Sequence, residues 1–199
     1  KCLFMPADLT AGLEYNRDNL KDDMWGYNRY TKQTVNIGSA FLQNEWKNEK
    51  WSILLGGRLD KHNLINHVIF SPRANLRFNP SEDINLRLSY SSGFRAPQAF
   101  DEDLHIENVG GTVSMIERAK NLKEEKSQSF SASADMYHRF GAFQVNFLVE
   151  GFYTRLSDVF VLENIGERDG ILIKERRNGS GAKVLGLSME GKMAYLSLF

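Results

Sequence analysis

Apolar and polar side chains alternate with a period of two along most of this chain, and helical spacing is scarce. From Trp51 one parity reads Trp51, Ile53, Leu55, Gly57, Leu59, and the other reads Ser52, Leu54, Gly56, Arg58, Asp60. The next run sets Phe70, Pro72, Ala74, Leu76, Phe78 against Ser71, Arg73, Asn75, Arg77. After a turn at Asn79-Pro80-Ser81-Glu82 come Ile84, Leu86, Leu88, Tyr90 against Asn85, Arg87, Ser89, Ser91. Two later runs repeat the pattern: Phe130, Ala132, Ala134, Met136 against serines and Asp135, then Phe143, Val145, Phe147, Val149 against Gln144, Asn146, Glu150. Successive strand residues point to opposite faces of the pleat, so each run predicts a strand with one apolar and one polar face.

Alternation alone suits any antiparallel sheet with one wet face. The connections narrow the choice. Short turns fall near residues 47–50, 79–82 and 140–141, and longer segments near 17–31, 61–67, 92–125 and 164–170. Short and long alternate without exception, as in outer-membrane barrels, whose periplasmic turns are tight and whose extracellular loops are long. The expected fold is therefore all-β: a portion of an antiparallel transmembrane β-barrel with about eight meander strands. Trp51, Ile53, Leu55, Leu59, Ala74, Leu76, Phe78, Leu86 and Leu88 are expected to face lipid, and Arg58, Arg73, Arg77 and Arg87 the lumen, because a one-residue slip would invert every side chain. Trp46, Trp51, Phe78, Phe140 and Phe143 flank the three short turns. That is where an aromatic girdle would meet the membrane–water boundary.

Composition sharpens this only modestly. With 25 basic and 25 acidic residues the formal charge is zero, so no overall pull toward nucleic acid arises. Apolar runs such as Ile53-Leu54-Leu55 are far too short for a membrane-spanning helix. The single Cys2 permits no internal disulfide. The N-terminus carries no charged-then-apolar signal segment, so either such a segment was removed or the chain is an internal piece.

Several motifs carry a family resemblance. Tyr90-Ser91-Ser92-Gly93-Phe94-Arg95-Ala96-Pro97 resembles the Y-x-x-G-F-R-A-P box of TonB-dependent outer-membrane receptors, and Gln98 to His105 continues in that style. Asn121-Leu122-Lys123-Glu124-Glu125-Lys126-Ser127 is similar to the box N-P-N-L-K-P-E-K-S that opens the next strand, with Lys120 and Glu124 where its prolines would align. Gln43-Asn44-Glu45-Trp46 fits the family's Q-x-E-W strand, and the stretch from Arg177 to Gly191 is similar to its return strand. The resemblance is to nutrient receptors, not to the sugar-importing SusC type. It implies that residues 1–199 are part of the receptor barrel, with the plug domain and the remaining strands outside the chain. It also implies a cell outer-membrane location, a TonB complex engaged through the plug, contact with outer-membrane lipid, and a small nutrient ligand: a ferric siderophore, cobalamin or haem. No nucleic-acid partner and no resident cofactor are expected.

Catalytic chemistry has little support. His62, His67, His105 and His138 share no metal-ligand spacing, and neither a nucleophile elbow nor a phosphate-cradling loop is present. An outer-membrane barrel protease or lipase would need its dyad among Asp22, Asp23, His62, His67 and residues 101–103. A soluble β-sandwich binding module is the other alternative. Asp101, Glu102 and Asp103 suggest a calcium site, but the Gly-bearing calcium loop is missing, so a solvated acidic loop is the plainer reading. The long segment 92–125, with no obvious internal core, is the leading candidate for ligand contact. Arg95 at its base would hold loop carboxylates bidentately or meet an anionic ligand, while Pro97 stiffens the exit. His105 lies between the two family boxes, where haem receptors can carry an iron-ligating histidine, and imidazole is an ordinary axial ligand of haem. The candidate set is thus Arg95, Pro97, Asp101, Glu102, Asp103 and His105.

Overall fold

A computed structural model describes residues 5–99, 101–104, 107–109 and 112–195. Eight long strands form one antiparallel meander: β1 (Ala7–Met24), β2 (Arg29–Lys47), β3 (Trp51–His62), β4 (Val68–Ser81), β5 (Ile84–Arg95), β8 (Glu125–Phe140), β9 (Phe143–Ser157) and β12 (Ala182–Tyr195), each paired with its neighbour in that order. Between β5 and β8 lie a one-turn helix α1 (Asp101–Leu104), β6 (Glu107–Val109) and β7 (Thr112–Arg118). Between β9 and β12 lies the hairpin β10 (Phe160–Arg168) and β11 (Ile171–Asn178). These four short strands make a second sheet in the order β10-β11-β7-β6, with β11 and β7 parallel.

The register follows the alternation. Trp51 lies opposite Phe78, Ile53 opposite Leu76, and Leu55 opposite Ala74; Leu76 then meets Leu88, and Phe78 meets Leu86. On the other face Gly56 lies opposite Arg73 and Ser52 opposite Arg77, which in turn meets Arg87. Residues directly opposite share a face, so the predicted apolar and arginine sets stand on opposite sides of the sheet. The polar face builds its own network. Arg58 donates to Asp60 at 2.8 Å, Glu14 at 2.9 Å and Ser39 Oγ at 2.8 Å, and Ser39 donates to Asp60 at 2.6 Å.

The tight end is closed by local chemistry. Asn48 Oδ1 accepts the N–H groups of Lys50 and Trp51, an Asx-type turn between β2 and β3. Gly141 takes φ 59° in the two-residue connection from β8 to β9, where a residue with a Cβ would be strained. Trp51 stacks on Phe78 with centroids 4.1 Å apart, beside the β2–β3 turn.

Three sequence expectations need correction. Residues 17–31 are not a loop: β1 and β2 pair out to Met24 and Arg29, with a 3-10 turn at Trp25–Tyr27 between them. Both faces there are polar, so no alternation announced the strands. Residues 92–125 do hold a core of their own, since Ser114, Met115 and Ile116 of β7 are buried. Three consecutive buried side chains show no period of two. Finally, residues 164–170 are the tip of a hairpin that joins the second sheet, and the last wall strand is β12.

The buried hydrophobic residues among those described are Val35, Ile65, Ile69, Ala96, Met115, Ile116 and Ile173. All lie in or beside the long connections. The eight-stranded wall has no core of its own, because one face is apolar and open and the other is polar and open.

Candidate functional site

The long connections gather at the end of the sheet opposite the tight turns. β5 leaves the wall at Arg95, and Ala96 is buried against Ile65 of the β3–β4 connection and Ile69 at the start of β4, with Phe94 packed alongside. The chain is then pinned twice: Gln98 N–H donates to the Ala96 carbonyl at 2.8 Å, and Ala99 N–H to Gln33 Oε1 of β2 at 2.8 Å. His62, at the last position of β3, is fully buried beneath this exit. Its Nδ1 accepts the Leu64 N–H at 3.0 Å, which leaves Nε2 to donate to Gln98 Oε1 at 3.4 Å. Burial holds its pKa below the ordinary 6.5, with the Gln98 hydrogen bond acting weakly the other way. Lys61, the neighbour on the apolar parity, already ends the apolar band, so His62 stands above it.

Asp103 is the junction of this assembly. Its carboxylate, 3 % exposed, receives Arg176 of β11 through Nε at 2.9 Å and Nη2 at 2.6 Å. Its carbonyl accepts Arg29 Nη2 from the turn end of the β1–β2 hairpin. Three segments far apart in sequence therefore meet at one residue. Removing either member of such a pair strands a buried charge, which makes it a strong local constraint whatever its net contribution to stability. Arg29 Nη1 is buried with no hydrogen-bond partner among the described residues.

Side-chain clamps tie the remaining seams. Asn178 accepts the Lys123 N–H at 2.8 Å and donates to the carbonyls of Lys123 and Asp158 at 3.1 and 2.8 Å. Glu125 accepts the Phe160 N–H at 2.8 Å, joining the first residues of β8 and β10. Glu124 is buried and meets Lys126 at 3.0 Å and His67 at 3.1 Å. Burial pushes its carboxyl up, but a backbone hydrogen bond, Lys126 and His67 together hold it below the ordinary 4.5. A cavity of about 290 Å³ lies between the β1–β2 hairpin and the exit segment, lined by Asp18, Leu20, Gln33, Val35, Gln98, Ala99 and Leu104.

The predicted site residues fall as follows. The Arg95 guanidinium lies 5.7 Å from the centroid of the Phe160 ring, and Arg176 takes the Asp103 carboxylate. The Pro97 carbonyl receives Arg118 Nη1 at 3.5 Å. Asp101 and Glu102 open α1, but their side chains, and all of His105, lie outside the described residues. Among the described residues no three His, Cys, Asp or Glu side chains converge as a metal-ligand set. Asp22, Asp23, His62 and His67 supply no dyad: Asp23 pairs with Lys21, His62 is spent on backbone and Gln98, and His67 faces Glu124. The sequence missed Arg176. Its one signal was the doubled Arg176-Arg177 in a short strand, where one of two neighbours must point inward.

A family model for the TonB dependent receptor-like β-barrel matches residues 4–198. The chain belongs to this family. TonB-dependent receptor barrels are outer-membrane proteins and transporters, not enzymes. The wall is a section of such a barrel and not half of a soluble sandwich. Solved structures with the same fold include the siderophore receptor PirA from Pseudomonas aeruginosa, at TM-score 0.78 and 18 % identity over 95 % of this chain and 36 % of that one. The FrpB iron transporter from Neisseria meningitidis matches at TM-score 0.68 and 15 % identity, over 98 % of this chain and 32 % of its own. The Serratia marcescens hemophore receptor HasR, solved with its hemophore HasA and heme, matches at 0.67 and 14 %, over 94 % and 37 %. The chain spans about a third of the length of these receptors. No curated protein sequence matches it.

Proposed function

We propose that this chain supplies the wall and extracellular cap of an outer-membrane receptor that binds a scarce, bulky nutrient and imports it with TonB-derived energy. Iron carried by a siderophore or as haem is the favoured cargo, since the solved receptors of the same fold are named for siderophores, iron and heme; cobalamin is the remaining candidate. The observation that carries the reading is the convergence of three extracellular segments on Asp103. A cap fastened at one buried point can close over a ligand and release it as a unit. TonB would act through a plug domain in the lumen, and outer-membrane lipid would cover the apolar face.

In the complete receptor, deleting residues 101–119 removes Asp103 and β7 while leaving the wall ladder intact. Ferric siderophore and haem binding, and growth on either as the scarce nutrient, should fall, while the folded barrel keeps its resistance to heat in detergent. Unchanged binding and import would refute the gating role. His105→Ala separates the cargoes: loss of haem binding assigns His105 as an axial ligand, and no change favours siderophore or cobalamin.

A further inference from the structure

The seam between the β5–β8 and β9–β12 connections closes on Asn178, the last residue of β11. Its Oδ1 accepts the Lys123 N–H at 2.8 Å, and its Nδ2 donates to the Lys123 and Asp158 carbonyls at 3.1 and 2.8 Å. The amide therefore uses its acceptor and both of its donors. Lys123 leads into β8 and Asp158 into β10, so one side chain ties the wall, the hairpin and the second sheet together.

Gly179 follows, and packing demands a glycine there. A Cβ at this position would stand 2.9 and 3.1 Å from Cγ1 and Cγ2 of Val161. The fold thus sets the least hindered residue directly after an asparagine, in the chain's one Asn-Gly pair. Such a pair is the most prone to spontaneous deamidation, because no Cβ obstructs ring closure. The glycine nitrogen loses its proton and attacks the side-chain carbonyl carbon. A C–N bond forms, the bond to the side-chain nitrogen breaks, and ammonia leaves with that proton. Water then opens the succinimide at either carbonyl, returns a proton to the ring nitrogen and leaves aspartate or isoaspartate.

The closed seam blocks both reacting groups. Turning the amide onto the Gly179 nitrogen would break all three hydrogen bonds, and the Gly179 N–H is itself held by the Val159 carbonyl at 2.7 Å. The product cannot resume the old place. A carboxylate there has no donor for the Lys123 and Asp158 carbonyls and would face them acceptor to acceptor. Isoaspartate also lengthens the backbone where β11 ends.

We propose that Asn178-Gly179 is a self-modification site that records opening of the cap. Deamidation proceeds while the seam is open, and its product keeps the seam from closing again. The chemistry needs only water and does not depend on the imported nutrient.

The test incubates the complete receptor in detergent and mildly alkaline buffer made with heavy-oxygen water, and follows label uptake at Asn178 by peptide mass spectrometry. Receptor unfolded in urea should convert fastest and the folded wild type slowest. Arg176→Met breaks the buried pair that holds β11 and should raise the folded rate by about tenfold or more, because reaction through local opening scales with the open population. Asp103→Leu with Arg176→Met should bring the rate back toward wild type. Heat resistance in detergent checks that each variant is assembled. Equal rates in folded and unfolded wild type would overturn the proposal, as would an unreactive unfolded chain or a folded rate that Arg176→Met leaves unmoved. Wild type aged after assembly should exchange faster at the Lys123 amide than fresh protein, whereas Asn178→Ser, which cannot form the ring, should not change on ageing. Equal protection of Lys123 in fresh and deamidated receptor would rule out the one-way opening.

Discussion

The wall and the cap are made of the same secondary structure and held together in opposite ways. In the wall, Leu55, Leu59 and Leu88 are about half exposed on one face, while charged side chains line the other. Neither face builds a buried hydrophobic core among the described residues, so its order comes from the backbone ladder and its surroundings. In the cap, Ile173, Arg176 and Asp103 are nearly inaccessible, and polar residues from distant segments close on each other. The wall borrows its solvent; the cap makes its own interior. Damage should therefore stay local in the cap and depend on the side chosen in the wall.

The largest effect is expected at Arg176. Arg176→Met leaves the Asp103 carboxylate buried without the two N–H donors that Arg176 gives its Oδ1, at a cost of about 3–5 kcal/mol. Hydrogen exchange should speed up in β7 and β11, while the heat resistance of the barrel in detergent stays put. The double change Asp103→Leu with Arg176→Met removes both charges and should recover much of the loss. A wall that melts together with the cap in the single variant would break the comparison, because the two regions would then be one cooperative unit.

Next comes the wall. Leu76 stands on the apolar face between Ile53 and Leu88, so Leu76→Arg near a membrane midplane should cost about 2–4 kcal/mol. Its neighbour Asn75 points to the lumen side, and Asn75→Arg should change folding stability by less than about 1 kcal/mol. Reversible unfolding of the receptor into denaturant from lipid vesicles measures both. Equal penalties at the two positions would mean that the faces have been assigned without physical content.

The difference between the regions also decides what the sequence could reveal. Wall strands face two unlike media, so β3, β4, β5, β8 and β9 wrote their register into alternating side chains. The upper parts of β1 and β2 meet water or polar neighbours on both sides, and Arg17 to Asp23 carry no contrast to read. β7 is the reverse case, with Ser114, Met115 and Ile116 buried in succession. Of the candidate residues, Asp103 lies at a buried junction with Arg176, 73 residues away. Pairings of that kind depend on how two connections fold over each other, and no local pattern encodes them.

Acid should loosen the cap before the wall. His62 has a folded-state pKa below its ordinary 6.5, so opened chains bind its proton more readily than closed ones. Its contribution is therefore complete above about pH 6.5 and declines as the pH falls from there toward the folded value. Glu124, held below 4.5, adds stability that is present above that value and lost at still lower pH. Protonated Nδ1 can no longer accept the Leu64 N–H. Exchange at Leu64, corrected for its intrinsic pH dependence, should accelerate below pH 6.5 while amides of β3 near Leu55 do not respond. His62→Asn should flatten that response. An unaltered profile in this variant would assign the acid sensitivity to another group.

The smallest effect is expected where the two regions join. Arg95 is the last residue of β5 and lies opposite Glu125, which accepts the Phe160 N–H, while the Arg95 guanidinium covers the Phe160 ring. The side chain is exposed, so this cation–π contact contributes about 0.5–1 kcal/mol. As an anchor of the hairpin, Arg95 should tolerate Lys, which keeps the charge near the ring, better than Ala. Arg95→Ala should then raise exchange modestly in β10 and leave ligand affinity within a few-fold of wild type. As a ligand contact it would behave otherwise: Ala and Lys would both weaken binding by tenfold or more, since neither offers a bidentate donor, and exchange in β10 would not change. Measuring both quantities on the two variants decides between the joint and the binding site, because each role moves one readout and spares the other.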